Sequence, residues 1–195
     1  LEAVDSSKPN SPKQDLYNIQ DIISAKRPDF LIAAGGGSTI DLVKAASILV
    51  SLSDGIHNIE PYFGTGKVSE KLKAFKKKLI PVFAIQMSAS SAAHLTKYSN
   101  ITDEETFQKK LIVDDAIIPP VALFDYFCTS SMGKDLTIDG MLDGMSHLLE
   151  VYYGASYSNS VNFNKIEEVT LTGLRLIVNN FEKVLINGND LKIRE

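Results

Sequence analysis

Apolar residues follow two rhythms along this chain. Up to Phe127, short unbroken apolar runs alternate with segments of helical spacing; after it only the helical spacing continues. Residues 13–25 carry Leu16, Ile19, Ile22 and Ile23 three and four apart, which predicts a helix ending near Lys26-Arg27-Pro28. Three runs read as buried strands: Phe30-Leu31-Ile32-Ala33-Ala34, Leu79-Ile80-Pro81-Val82-Phe83-Ala84-Ile85 and Val121-Ala122-Leu123-Phe124-Asp125. The first leads through glycines into a helix reaching about Leu52, and the second into a run of small residues, 86–93. Residues 96–101 and 110–113 have strand character, with the acidic turn Thr102-Asp103-Glu104-Glu105 between them. Residues 1–12 and 53–68 carry the proline, glycine and asparagine of connecting surface, and a short helix follows the second of them. Strand–helix alternation followed by helices alone predicts an α/β domain over 1–127 and the start of a helical domain over 128–195.

Two stretches carry candidate chemistry. Gly35-Gly36-Gly37-Ser38-Thr39-Ile40-Asp41-Leu42-Val43-Lys44 joins the first strand to its helix. Glycine lets the chain turn tightly and leaves no Cβ between backbone and ligand. Ser38 and Asp41, three apart, read as a capping box that fixes a helix N-terminus, whose free N–H groups attract anions. A diphosphate suits such a turn, and so does a plain, well-made strand–helix junction.

The second stretch is the helix over 137–153. Ile138, Met141, Leu142, Met145, Leu148, Leu149 and Tyr152 form its apolar stripe, opposite Asp139, Asp143, Ser146, His147 and Glu150. Asp143 and His147 are four apart, so both reach one point on the helix face. A carboxylate oxygen beside an imidazole nitrogen suits Zn²⁺ or Fe²⁺, although a solvated Asp–His pair is the plainer reading. Gly140 and Gly144 each cost the helix about 1 kcal/mol relative to alanine, which predicts a close approach by backbone, cofactor or another domain. His57 reads as a surface residue, His94 as cofactor-facing, helix-starting or packing, and Cys128 as structural; Gly-x-Ser-x-Gly is absent.

Composition narrows the partners. A formal charge of −4 and a pI near 5.4 argue against nucleic acid or an anionic membrane as the partner. The lysine-rich stretch 71–78 is interleaved with Leu72, Phe75 and Leu79, as on the solvated face of a short helix. With one cysteine, neither an internal disulfide nor a thiolate metal cage is available. No apolar run reaches membrane-spanning length and no signal peptide opens the chain, so a cytoplasmic protein is expected.

With both stretches located, the chain resembles the iron-containing (group III) alcohol dehydrogenase family. Residues 35–44 fit that family's Gly-Gly-Gly-Ser-x-x-Asp-x-x-Lys turn. Residues 85–103, IQMSASSAAHLTKYSNITD, align with its Pro-Thr-Thr-Ala-Gly-Thr-Gly-Ser-Glu-Val-Thr loop ending Ile-Thr-Asp. Residues 110–113 and 121–125 take the places of the following strands, and residues 143–150 match Asp-Ala-Leu-x-His-x-x-Glu. The resemblance implies a Rossmann-like parallel-sheet dinucleotide-binding domain followed by an all-helical metal-binding domain, as in dehydroquinate synthase. It implies hydride transfer between NAD or NADP and a small alcohol or aldehyde, in a homo-oligomer, a dimer. Gly36, Gly37 and Ser38 would hold the diphosphate, and Ser88 and Ser91 would contact the cofactor. Thr96, Tyr98 and Lys110 would line the nicotinamide and ribose side, and Asp143 and His147 would bind Fe²⁺ or Zn²⁺. Relatives of the same fold include metal-independent reductases and dehydroquinate-synthase-like lyases, and a non-catalytic nucleotide-binding protein would keep the turn as well.

Departures fall in the loop: Gln86 for proline, Met87 for threonine, Ser90 and Ala92 for glycines and His94 for glutamate. The family's first βαβ segment would precede Leu1 and its two further metal histidines would follow Glu195, so the chain reads as the central piece of a longer protein, inactive by itself.

Overall fold

The computed structural model describes residues 2–5, 7–89, 91–156 and 162–194. They form two compact units, Leu1–Met87 with Ser91–Asp125, and Ser88–Ser90 with Tyr126–Glu195.

The first unit is built around one helix. After α1 (Lys13–Lys26) and β1 (Leu31–Gly35), α2 (Gly37–Leu52) buries Ile40, Leu42, Ala45, Ala46, Ile48 and Leu49 almost completely. A helix apolar on nearly every side must be covered on every side. Here α1, β1 with β3 (Val82–Gln86), and β4 (Tyr98–Asp103) supply the cover. On the sheet side Ile40 packs with Ala33, Val82, Ala84 and Ala93. Leu42, Ile48 and Leu49 belong to a larger cluster with Leu16, Ile23, Tyr62, Ile101 and Ile112.

Two small sheets flank α2. The first has the order β1-β3-β6, with β6 at Val121–Phe124, and is parallel throughout: Ala33 is level with Ala84, and Ala84 with Ala122. In the second, β5 (Gln108–Val113) pairs antiparallel with β4 and parallel with the short β2 (Gly64–Thr65). Segments 96–101 and 110–113 therefore form a separate hairpin. The lysine-rich stretch starts on α3 (Lys67–Phe75), where Lys71 lies over the Tyr62 ring, and continues as exposed Lys76, Lys77 and Lys78.

The three apolar runs are less buried than their composition predicts. Ile32 is 44% exposed, Val121 54% and Leu123 53%. Alternate residues of a strand point to opposite faces, and among the described residues α2 covers only the face carrying Ala33 and Ala84. The third run is thus an exposed edge strand.

The turn of the hairpin is tied to α1. Asp103 pairs with Lys13 and accepts hydrogen bonds from Glu105 N and Thr106 N at 3.0 and 3.2 Å. Lys13, and after it these N–H groups, hold the Asp103 carboxyl at about 2, against an ordinary value of 3.8. A depressed carboxyl pKa stabilises the fold above the unfolded value, and the contribution is lost as pH falls from there toward the folded value. Asp103→Asn is expected to lower Tm at neutral pH. Thermal melts across an acid series should show the gap to wild type closing between about pH 4 and 2.

The second unit contains the short α4 (Tyr126–Thr129) and α7 (Leu191–Arg194), and two long helices, α5 (Lys134–Ser156) and α6 (Phe163–Ile186). The long pair is antiparallel: Thr170 Oγ1 donates to Leu148 O at 3.3 Å, and Gly144 faces Ile177. A Cβ on Gly173 would lie 2.6 Å from Leu148 Cδ1, so the close approach depends on a glycine of α6. At Gly144 the neighbour is only at contact distance, 3.8 Å. With α6 against it, α5 buries its stripe only in part, and Leu142 is 52% exposed.

Candidate functional site

The glycine turn sits where β1 ends, at the carboxyl end of the parallel sheet, which is where open α/β sheets receive ligands. Helix α2 starts earlier than a Ser38 cap would place it. Gly36 is the N-cap, with its carbonyl accepting from Ile40 N at 3.1 Å and no side chain capping the turn. The expected capping box does not form, because both its side chains are engaged elsewhere. Ser38 Oγ accepts from Asn10 N at 3.0 Å, while Asp41 turns inward and accepts from Asn100 N at 3.0 Å. The N–H groups of Gly37, Ser38 and Thr39 consequently meet no acceptor among the described residues.

The loop after β3 closes over this end. Met87 N donates to Gly35 O at 2.9 Å, and Ser91 Oγ comes within 2.7 Å of where a Gly37 Cβ would stand. Gly37 and Ser91, two predicted cofactor residues, are brought together because one has no side chain. Ser88 belongs to the other unit, and Ser90 lies outside the described residues. His94 is buried, with its ring 5.7 Å from that of Phe124 and its Nδ1 without a hydrogen-bond partner. Burial, and secondarily the Lys44 charge, lower its pKa and favour the neutral ring. Packing against Phe124 is therefore part of its role.

Thr96 and Tyr98 are held from beneath. Lys44 is 1% exposed, and its Nζ donates to Thr96 O at 2.8 Å and to Tyr98 O at 3.0 Å. Burial pulls the Lys44 ammonium down from 10.5 to about 8, with Asp41 pulling the other way. Burial raises the Asp41 carboxyl, opposed by the Asn100 N–H. Lys110 stands apart on β5, paired with Glu60 at 2.7 Å and lying over the Phe63 ring.

Sequence reasoning passed over Asn10 and Ser11, whose residues 1–12 read as a connector. Ser11 Oγ donates to Ser38 O at 2.9 Å, and Asn10 and Ser11 both adopt positive φ, at 67° and 49°. Lys44 was visible only as a motif letter, although a lysine inside a helix apolar all round is itself a signal.

In the helical unit Asp143 Oδ1 lies 3.6 Å from His147 Nε2, and Glu150 Oε2 lies 3.6 Å from His147 Nδ1. All three side chains are largely exposed. No group of three or more such ligands placed to hold a metal occurs among the described residues. His57 is a surface residue, stacked on Tyr17 and paired with Asp21 at 2.7 Å. A cavity of about 300 Å³, lined by Ser47, Leu72, Ile80, Val82, Ile117 and Pro120 among others, opens at the amino ends of β3 and β6. It lies at the opposite end of the strands from Gly37. No described helix is long and apolar enough to cross a membrane.

A parallel sheet with a glycine turn at its carboxyl edge, followed along the chain by a helical unit, is an α/β fold of the kind that receives ligands at its strand ends. The sequence model for "Iron-containing alcohol dehydrogenase" matches residues 1–126, and the chain belongs to that family. It is 28% identical over 189 residues to the NAD-dependent methanol dehydrogenase of Bacillus methanolicus, covering 97% of this chain and 46% of the relative. Against the lactaldehyde reductase of Escherichia coli K12, identity is 35% over 124 residues, 64% of this chain and 30% of the relative. The NADH-dependent butanol dehydrogenase A of Thermotoga maritima superposes with a TM-score of 0.80 at 22% identity, over 98% of this chain and 44% of the neighbour. The chain thus spans less than half the length of the relatives it matches.

Proposed function

We propose that the protein carrying this chain transfers hydride between a nicotinamide dinucleotide and a small alcohol or aldehyde, with a divalent metal as the second cofactor. The observation that carries the nucleotide half is the first turn of α2: three N–H groups without acceptors among the described residues, at a glycine whose Cβ would lie 2.7 Å from Ser91 Oγ. A diphosphate fits there, since these donors and the helix dipole favour negative charge. In this reading Gly36, Gly37 and Ser38 hold the diphosphate and Ser88 and Ser91 contact the cofactor. Thr96, Tyr98 and Lys110 line its ribose and nicotinamide. Asp143 and His147 supply the first two ligands of Fe²⁺ or Zn²⁺, their donor atoms being close enough to share one ion. When bound, the dinucleotide exchanges the hydride and the ion polarises the substrate oxygen. The family membership and the alcohol and aldehyde chemistry in the names of its relatives support the substrate class.

Calorimetric titration with NADH and NADPH tests the nucleotide half, and the expected result is saturable binding of at least one of them. Binding of neither overturns the reading. For the metal half, two donors fall short of the three or four that retain an ion. Zn²⁺ taken up by this chain is expected to be removed readily by EDTA, and His147→Ala is expected to abolish uptake. Chelator-resistant, stoichiometric zinc would contradict this.

A further inference from the structure

The cavity at the amino ends of β3 and β6 has no part in the nucleotide reading. It holds about 300 Å³ and is walled by Leu72 of α3, Ile80 and Val82 around the start of β3, Ile117, and Pro120 just before β6. That volume stands at the lower end of the range that receives small molecules. A cavity lined by aliphatic side chains stays dry and takes apolar occupants, and about 150 Å³ is enough for the six carbons of benzene. Twice that volume accepts a chain of roughly eight to ten carbons.

Polar groups along this wall are already engaged. Ser47 Oγ donates to Ile80 O at 2.6 Å, Ile80 N to Ser51 Oγ at 3.1 Å, and Ala116 N to Asp114 Oδ1 at 3.0 Å. Ile117 N and Ile118 N donate to Asp114 O and Asp115 O at 3.2 and 3.3 Å. The exception is Lys78. It lines the cavity yet is exposed, so its methylene stem belongs to the wall and its ammonium to the rim. No carboxylate pairs with it among the described residues. The nearby acids are spent elsewhere: Asp54 pairs with Lys77, Asp115 with Lys97, and Asp114 accepts from Ser69 N and Ala116 N. An apolar chamber with one uncompensated cation at its mouth matches a ligand with an apolar tail and a single negative head.

We propose that this cavity binds a medium-chain aliphatic carboxylate, its chain among Leu72, Ile80, Val82, Ile117 and Pro120 and its head at the Lys78 ammonium. The aliphatic wall supplies most of the affinity, and Lys78 selects the anion over a neutral chain of the same length. The five residues of β3 separate this end of the sheet from the glycine turn, about 16 Å, so both sites can be occupied at once. The proposal does not depend on the nucleotide reading.

The test titrates the chain with octanoate and with octanamide, its neutral counterpart, by calorimetry. Octanoate is expected to bind one to one with a dissociation constant at or below about 1 mM, and octanamide about three- to fivefold more weakly, the size an exposed ion pair supports. Lys78→Gln is expected to bring octanoate to the level of octanamide and to leave octanamide unchanged. Leu72→Trp, which fills the cavity, is expected to abolish binding of both. Should Leu72→Trp not fold, Ala116→Phe, at an exposed position of the same lining, is put through the same titrations with the same outcomes deciding. Saturating NADH or NADPH is expected to leave the octanoate affinity unchanged. No saturation by about 10 mM octanoate overturns the proposal, as does equal affinity for the two ligands. Binding that survives the filled cavity, or that NADH or NADPH displaces, places the ligand elsewhere and overturns it too.

Discussion

Gly37→Val is expected to abolish measurable binding of both ADP and the dinucleotide, a loss of about 100-fold or more. Its Cβ would stand 2.7 Å from Ser91 Oγ, and a branched side chain would crowd the first turn of α2. Losing one or two charge-assisted hydrogen bonds, at about 1.5–3 kcal/mol each, accounts for that size. Calorimetry on the variant, with a thermal melt to show that the unit is folded, checks it. Unchanged ADP affinity would move the diphosphate away from α2.

The second large effect is on stability. Leu49→Ala is expected to destabilise the first unit by about 3 kcal/mol, because Leu49 is fully buried in the cluster that includes Leu16, Leu42 and Ile112. Ile32→Ala removes a side chain of similar size from an apolar run, yet its expected cost is under about 1 kcal/mol, because Ile32 is 44% exposed. Denaturant unfolding of the pair measures the difference. Equal costs would mean that the outer face of the β1-β3-β6 sheet is covered in solution.

That comparison marks how far the apolar pattern could be read. The runs at 30–34, 79–85 and 121–125 did become the strands of one parallel sheet, since unbroken apolar runs between helical segments have few other solutions. The pattern does not say whether a second layer covers the outer face, so all three runs read alike, although β3 is central and β6 an exposed edge. Helix α5 repeats the lesson: its stripe was legible, but burial depends on how many neighbours pack against it.

The candidate site divides in the same way. The glycine turn, the small-residue loop and the Asp143–His147 spacing were all visible as local patterns, because each depends on residues close in the chain. The capping box failed on a tertiary contact: Ser38 and Asp41 had the right spacing, but Asn10 and Asn100, 28 and 59 residues away, engaged them instead. Lys44 was similarly hidden, since its partners lie 52 and 54 residues downstream.

The sequence by itself therefore determined the order of elements, the position of the strand–turn–helix junction and the family, all carried by short-range periodicity and by ordered motifs. Only the tertiary structure decided where α2 begins, which of its polar groups remain free for an anion, and which are spent on the 96–100 segment. Hydrogen bonds between residues far apart in the chain made those choices, and no periodicity records them.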